Sequence, residues 1–299
     1  MSAIKNVAIA GAAGSLGTVV LKHLIASNKF NITILRRVGS SSTYDSSLKV
    51  VDVDFASVPS LTDALKGQDA VISTFGTTGF SLQTTLIDAA AAAGVKRFIP
   101  SEFGSNLDNP KTRALPVFAE KVKTQEALKE KAKTTGLTYT VIYNSAFLDW
   151  GLKVGFTLRW SEYKPALYNG GDVTFSATTL DSVADAVVGV LSHPEETRNR
   201  AVYVEDVKIT QSQLLDIAKK IAPGKPWEVQ HVKTDDLVAQ SNDNLAKGQI
   251  DAMTFVNYIF AAIFDPSYGG NFEKTDNELL GLKGKTLADV EEIAKKIIS

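Results

Sequence analysis

The sequence predicts an α/β fold, in which a doubly wound parallel sheet is joined to a second, smaller α+β lobe. Two observations predict it. Short apolar runs alternate with helical patterns up to about residue 155, and this rhythm is typical of βαβ units in a parallel sheet covered on both faces. The chain then becomes rich in aromatic residues, glycine and turns, before a clean helix and strand return. We expect residues 1–150 and 181–206 to form the larger domain, and residues 151–180 and 207–299 the smaller lobe.

The elements of the larger domain follow in a regular order. The predicted strands are 6–11, 31–37, 48–55, 69–76, 96–100, 137–144 and 201–206. The predicted helices are 15–28, 59–67, 81–95, a helix after the fifth strand, and 181–193, with 210–223 and 251–264 in the smaller lobe. Asp181 is the expected N-cap of its helix. Right-handed crossovers place the ligand-binding loops at the carboxyl edge of such a sheet.

Composition removes several classes of function. The net charge of −1 comes without a strongly basic block, which gives no reason to expect nucleic acid. The absence of cysteine excludes disulfides, thiolate catalysis and zinc–thiolate sites. His23, His193 and His231 are scattered along the chain, so we expect no metal. The sequence has no apolar run long enough for a membrane span and no secretory segment, and we expect a cytoplasmic protein, either a monomer or a homodimer.

The first strand runs directly into the glycine turn AGAAGSLG, which opens a helix. Glycine allows a sharp turn, close approach of the backbone to a pyrophosphate, and close packing of helix on strand. The helix N-terminus adds free N–H groups that favour an anion. The context predicts a Rossmann-type dinucleotide site, and the alternative is a packing turn beside an empty crevice. The expected cofactor-binding residues of the turn are Gly11, Ala13, Gly14, Ser15, Leu16 and Gly17.

The second strand ends in Arg36 and Arg37, where an NAD-binding protein usually has a carboxylate for the ribose 2′-hydroxyl. A guanidinium at this place binds a 2′-phosphate in bidentate fashion. We therefore expect NADP(H) rather than NAD(H), with a solvated arginine pair as the alternative. Further residues expected along the cofactor are Asp54, Phe55, Thr74, Phe75 and Gly76.

The helix after the fifth strand carries an unexpected cation on its inward stripe. That stripe consists of Phe118, Lys121, Gln125, Leu128 and Ala132. Lys123 points elsewhere on the helical wheel and is expected in solvent. No tyrosine in the chain is followed by lysine four positions later, so the proton relay usual on this scaffold is absent. Lys121 is the best remaining proton donor or acceptor, and the alternative is a lysine that buries its methylenes and extends its amine outward.

Five stretches, over roughly residues 4–205, occur in the order seen in isoflavone reductase-like proteins. They read GAAGSLG, VISTFG, VKRFIPSEFG, VFAEKVKTQEAL and GLTYTVIYNSAF. The chain resembles that family, which includes phenylcoumaran benzylic ether and pinoresinol-lariciresinol reductases and belongs with the NmrA-like atypical short-chain dehydrogenase-reductases. Phe118 and Lys121 match the family motif F-x-x-K-x-x-x-R, whereas Gln125 stands in place of the arginine. Asn144 matches an asparagine that lies near the nicotinamide in the family.

The resemblance implies NADPH-dependent reduction of an aromatic or conjugated small molecule. Lys121 would be the general acid/base, contact the cofactor and have a lowered pKa. Ser101 and Glu102, after the fifth strand, are interpreted as a structural turn in which Glu102 pairs with a neighbouring cation, and direct catalysis is the alternative. The expected substrate-pocket residues are Phe103, Phe147, Trp150, Phe156 and Tyr258, with Trp160 and Phe260 as further aromatic candidates. Two alternatives remain: an NmrA-like NADP(H)-sensing regulator without catalysis, and an isomerase or dehydratase that retains its nucleotide.

Overall fold

The computed structural model describes residues 3–298 of the chain, which form twelve strands and twelve α-helices. The strands are β1 (Asn6–Ala10), β2 (Asn31–Arg37), β3 (Lys49–Val53), β4 (Ala70–Ser73), β5 (Arg97–Ile99), β6 (Thr138–Tyr143), β7 (Ala146–Phe147), β8 (Ala166–Tyr168), β9 (Phe175–Thr178), β10 (Arg200–Tyr203), β11 (Val207–Ile209) and β12 (Gln230–Val232). The helices are α1 (Ser15–Ser27), α2 (Val58–Leu65), α3 (Gln83–Ala92), α4 (Pro110–Arg113), α5 (Ala119–Thr134), α6 (Leu148–Lys153), α7 (Leu180–Ser192), α8 (Gln211–Ile221), α9 (Thr234–Ala246), α10 (Ala252–Phe264), α11 (Asn277–Leu280) and α12 (Leu287–Ile298).

Seven strands form the main sheet, in the order β10-β6-β5-β4-β1-β2-β3, and all pairings are parallel. The helices α2, α3 and α5 pack on one face, and α1 and α7 pack on the other. Strands covered on both faces must be apolar almost throughout, and β4 and β6 are buried at every residue. The predicted doubly wound α/β class is confirmed.

The order of the strands reverses at β1, which pairs with β2 on one side and β4 on the other. In open parallel sheets, ligands bind beyond the carboxyl ends of the strands at this reversal. The loops after β1, β2 and β4 therefore meet where a ligand is expected.

Two small sheets, β11-β9-β7 and β12-β8, lie outside the main sheet. A separate apolar cluster includes buried residues of α6, α8 and α12. Helix α10 contributes to both sides, because Tyr258 belongs to the core beneath the main sheet whereas Phe264 belongs to the separate cluster. Helix α11 packs against α7 through Leu280. It lies within residues 207–299, which were expected in the smaller lobe. The two-lobe division with its sequence-based bounds stays a prediction.

The N-cap of α7 is Thr179, and the expectation of Asp181 is wrong. The Thr179 hydroxyl accepts a hydrogen bond from the Ser182 backbone N–H at 3.3 Å. Asp181 lies inside the first turn, where its carboxylate meets the His23 ring on α1 at 2.8 Å. The helix starts earlier because buried Asp206 holds the backbone N–H of Thr179 at 2.8 Å.

Within residues 3–298, no helix combines the length and apolar composition needed to cross a bilayer.

Candidate functional site

The glycine turn brings the start of α1 against the ends of β1 and β4. Gly11 has a φ of +83°, a conformation that side chains disfavour. The Gly14 N–H donates to the Gly11 carbonyl at 3.0 Å. A Cβ at Gly17 would lie 2.1 Å from that same carbonyl oxygen and 2.7 Å from the Thr74 hydroxyl. The turn therefore requires glycine for its packing as well as for its conformation.

The N-terminus of α1 is open toward the crevice. Its N-cap, Gly14, makes no side-chain capping hydrogen bond, and the first turn contains no acidic residue. The free N–H groups and the positive end of the helix dipole are left for an anion. This geometry suits the pyrophosphate of a dinucleotide.

Two cavities meet at this turn. The glycine-turn cavity, of about 440 Å³, runs from the turn toward the end of β2, and its lining includes Gly11, Ala13, Arg36, Arg37, Ser40, Ser42, Tyr44 and Phe55. The lysine cavity, of about 320 Å³, runs toward α5, and its lining includes Ser15, Leu16, Thr77, Phe80, Ser101, Glu102, Phe103, Lys121, Phe147, Trp150 and Leu180. Both include Gly14, Thr74, Phe75 and Gly76. The shared residues join the cavities into one crevice with the turn at its centre.

Arg36 lies in the glycine-turn cavity but already has protein partners. Its Nε and one terminal nitrogen donate to the two carboxylate oxygens of Asp52 on β3, at 2.6 and 2.8 Å. The other terminal nitrogen donates to the Ser42 carbonyl at 3.1 Å. The guanidinium holds the pKa of Asp52 below its ordinary value. Three of the five N–H donors of arginine are thus used, and each terminal nitrogen keeps one for a ligand.

Lys121 is only 8% exposed and lines the lysine cavity. Its amine donates a hydrogen bond to the backbone carbonyl of Glu102 and lies 5.2 Å from the centre of the Phe80 ring. Burial lowers the pKa of Lys121, and the Glu102 carboxylate opposes that shift. Lys123 is exposed and pairs with Glu120 at 2.6 Å. The predicted inward orientation of Lys121 and outward orientation of Lys123 are both confirmed.

Glu102 is 2% exposed, and neither of its carboxylate oxygens accepts a hydrogen bond from any described residue. Burial raises the pKa of its carboxyl, and the Lys121 amine and the Gln125 side chain oppose that shift. Ser101 has the role of a structural turn residue: its hydroxyl donates to the Phe75 carbonyl at 2.7 Å, and its N–H donates to the Gln83 side chain at 2.7 Å. The Ser101 contacts agree with the turn interpretation, whereas the unpaired Glu102 carboxyl needs a different explanation.

Aromatic side chains form the wall opposite the glycine turn. Phe147 and Trp150 meet edge to face with ring centres 6.3 Å apart. Phe103 is held at a φ of +31°, a strained conformation for a residue with a side chain. Asp149 ties this wall to α7, because its carboxylate accepts the Leu180 N–H at 3.1 Å. The arrangement provides an apolar surface in the same cavity as Lys121.

Seven predicted site residues lie outside both cavities as the described residues form them: Gly17, Asp54, Asn144, Phe156, Trp160, Tyr258 and Phe260. Asp54 is exposed and caps its own loop through the Ala56 N–H at 2.9 Å. Asn144 is fully buried behind the site, and its amide donates to the Ser145 carbonyl at 3.3 Å. Tyr258 is buried in the main core, where its hydroxyl donates to Asn242 at 2.6 Å. Phe156 stands one ring further out, between Trp150 and Phe260.

Sequence reasoning missed several lining residues. Thr77 and Phe80 belong to a 3₁₀ helix (Thr77–Leu82) directly after the fourth strand. Their position at the carboxyl edge of the sheet was the available signal. Tyr44 and Ser42 lie in the polar loop after β2 and lack a comparable pattern.

A dinucleotide crevice that ends at a buried amine and an aromatic wall is the arrangement of a Rossmann-fold oxidoreductase, and this is the class of the protein. The chain belongs to the NmrA-like family, whose model matches residues 3–280. The predicted resemblance to NmrA-like and isoflavone reductase-like proteins is thereby confirmed.

Curated relatives match almost the whole chain. Oxidoreductase aprR from Aspergillus flavus is 33% identical over 301 residues, covering 98% of this chain and 98% of that protein. Oxidoreductase poxI from Penicillium oxalicum is 33% identical over 303 residues, covering 97% and 92%. Phenylcoumaran benzylic ether reductase IRL1 from Ginkgo biloba is 31% identical, covering 94% and 93%.

Solved structures share the fold over its full length. AtPrR2 with NADP+ and (+)pinoresinol superposes with a TM-score of 0.78 at 24% identity, covering 99% of this chain and 100% of that one. The ternary complex of leucoanthocyanidin reductase from Vitis vinifera gives a TM-score of 0.75 at 21% identity, covering 98% and 99%.

Proposed function

We propose that this protein is an NADPH-dependent reductase of an aromatic or conjugated small molecule, with Lys121 as its general acid/base. One observation carries the proposal: the buried Lys121 side chain lines the lysine cavity together with Phe147 and Trp150, and this cavity is continuous with the glycine-turn cavity. Burying a cation costs free energy. Buried titratable groups in a crevice are therefore typical of functional sites. The AtPrR2 structure, which holds NADP+ and (+)pinoresinol in the same fold, supports an aromatic substrate.

The residues of the crevice fit the cofactor. The turn at Gly11 and Gly14 would hold the pyrophosphate, and Arg36 would meet the 2′-phosphate. Phe55 and Tyr44 line the cavity in which the adenine would lie. When bound, NADPH supplies the hydride for the reduction.

Lys121 would supply the proton that accompanies the reduction. Its hydrogen bond to the Glu102 carbonyl fixes the amine at the wall of the cavity. A lowered pKa brings the amine nearer to the working pH, which favours proton transfer in either direction. Phe147 and Trp150 would orient a flat substrate and exclude water around it.

A substrate panel tests the function directly. The purified protein is mixed with NADPH and with conjugated aromatic ketones, enones, imines or benzylic ethers, and NADPH absorbance is followed. We expect at least one class to be reduced, with a single product identified by mass spectrometry. Tight NADPH binding without turnover of any class would contradict the proposal and favour the regulator. Cofactor that co-purifies and is never oxidised, while a substrate is converted, would favour the isomerase or dehydratase.

Arg36→Ala is expected to weaken NADPH binding by roughly 10–100-fold and NADH binding by less than about threefold, because only NADPH carries the 2′-phosphate. The substitution also leaves Asp52 without its partner, and this carboxylate repels the phosphate further. Dissociation constants from nucleotide fluorescence measure both effects. Arg198→Ala, an exposed arginine 4.0 Å from Glu195, is the matched control. Equal losses for the two nucleotides would remove the assignment of Arg36.

A further inference from the structure

The Glu102 carboxyl is a buried ionisable group that the proposed mechanism does not use. Its backbone is fixed at both polar atoms, because the N–H donates to the Pro100 carbonyl at 2.8 Å and the carbonyl accepts from the Lys121 amine. The carboxylate oxygens, by contrast, accept no well-formed hydrogen bond from the described residues, and the side chain of Gln125 is the polar neighbour that acts on them. A buried polar group without a partner is costly to keep, so an unpaired carboxyl beside a buried amine calls for a functional explanation.

The groups around Glu102 come from four parts of the chain. The charged and titratable ones are Lys121 on α5, Arg113 on α4, Asp108 in the loop before α4, and Tyr143 on β6. Arg113 is turned toward Gln125 and Glu126, at 2.9 and 3.2 Å.

Gln125 occupies the position one helical turn after Lys121. Its carbonyl oxygen accepts the hydrogen bond from Arg113 and its amide donates to the Tyr143 hydroxyl at 2.9 Å. The neutral glutamine adds no charge there, although its side chain also lowers the pKa of the Glu102 carboxyl. Lys121 is thus the main positive charge that acts on the Glu102 carboxyl.

We propose that Glu102 is a positioning residue that sets the proton affinity of Lys121 through its charge. The inference rests on the proposed function of Lys121. With the proton on the amine, the ammonium and the carboxylate together carry no net charge. When Lys121 gives its proton to the substrate anion, the amine becomes neutral and the carboxylate loses its counter-charge. Glu102 then takes up one proton from water, so that the buried pair is neutral before and after the transfer.

The physical basis is the low polarity of the site. Burial lowers the pKa of Lys121 and raises that of Glu102, and each charge opposes the shift of the other. Removing the negative charge removes the contribution that raises the pKa of Lys121. The amine should then lose its proton at lower pH, although its contact with the Glu102 backbone is unchanged.

The test replaces Glu102 by glutamine, which keeps the shape and removes the charge. The Lys121 amine is titrated by ¹⁵N NMR of lysine-labelled protein, with its signal assigned by Lys121→Met. We expect its midpoint to fall by about one pH unit in Glu102→Gln. Where a substrate is reduced, the alkaline limb of the kcat profile should move by the same amount. Glu102→Asp keeps the charge at a greater distance and should shift the midpoint less, in the same direction.

Glu120→Gln is the matched control, because it removes an exposed carboxylate beside Lys121 in sequence. In Glu120→Gln, the titration midpoint of the Lys121 amine should equal that of the wild type. An unchanged Lys121 midpoint in Glu102→Gln, or activity lost equally at every pH, would overturn the inference. The NMR titration needs no substrate, so a shift in the midpoint without any turnover would refute the proposed reductase activity while upholding the charge coupling.

Discussion

Replacing Lys121 with methionine is expected to lower kcat by about 10²–10⁴-fold, the usual contribution of a general acid or base. Methionine retains the apolar stem of lysine and fills the same space beside Phe80. It cannot give or take a proton. NADPH affinity should change by less than about tenfold, because the proposed phosphate site is the glycine turn. Steady-state rates and nucleotide binding, measured on the same preparations, separate the two effects.

Lys123→Met is the control for this substitution. Lys123 lies two positions along the same helix, is exposed, and pairs only with Glu120 among the described residues. Its replacement should leave kcat within about twofold of the wild type, since surface ion pairs contribute little. If Lys121→Met retained most of the wild-type rate, Lys121 would not be the proton-transfer group.

Gly17→Ala is expected to lower the free energy of unfolding by about 3 kcal/mol and to weaken NADPH binding at least about tenfold. The new Cβ would lie 2.1 Å from the Gly11 carbonyl oxygen and 2.9 Å from the Ala12 Cα. These are backbone atoms, so the clash is relieved only by moving α1 away from β1. The free N–H groups of the helix would then lose their place at the crevice.

Urea denaturation and NADPH binding test this prediction together. Gly136→Ala is the matched control, because a Cβ there meets nothing within 4 Å. It should cost less than about 1 kcal/mol. Wild-type stability and affinity in Gly17→Ala would show that the turn tolerates a side chain.

Local patterns predicted the parts of the molecule that are fixed by short stretches of chain. The apolar strands and the glycine turn are such features, since strand burial and turn geometry follow from neighbouring residues. The inward orientation of Lys121 could be predicted in the same way, because helical spacing alone determines which side chains share a face. The predicted strand ends exceed the observed ones by only a few residues, as for 48–55 against Lys49–Val53.

The features of the site that could not be predicted depend on contacts between distant parts of the chain. Asp52 meets Arg36 only because β2 and β3 pair in a register that places them opposite each other. The surroundings of Glu102 likewise depend on Gln125, which contacts Arg113 on α4 and Tyr143 on β6. Tyr258 was expected in the pocket, but α10 is apolar on nearly every side, so periodicity does not identify the side that faces a ligand.

The packing of α12 against α6 and α8 has a consequence for synthesis on the ribosome. Val290 and Ala294 complete the apolar cluster that supports α6, the helix that carries Trp150. All seven strands of the main sheet are translated once residue 203 has been added, and domains fold from the N-terminal side as the chain emerges. The sheet that carries the glycine turn can therefore begin to pair while α6, with Trp150, still lacks the support of α12. A chain still on the ribosome would have its strands before it has a supported aromatic wall.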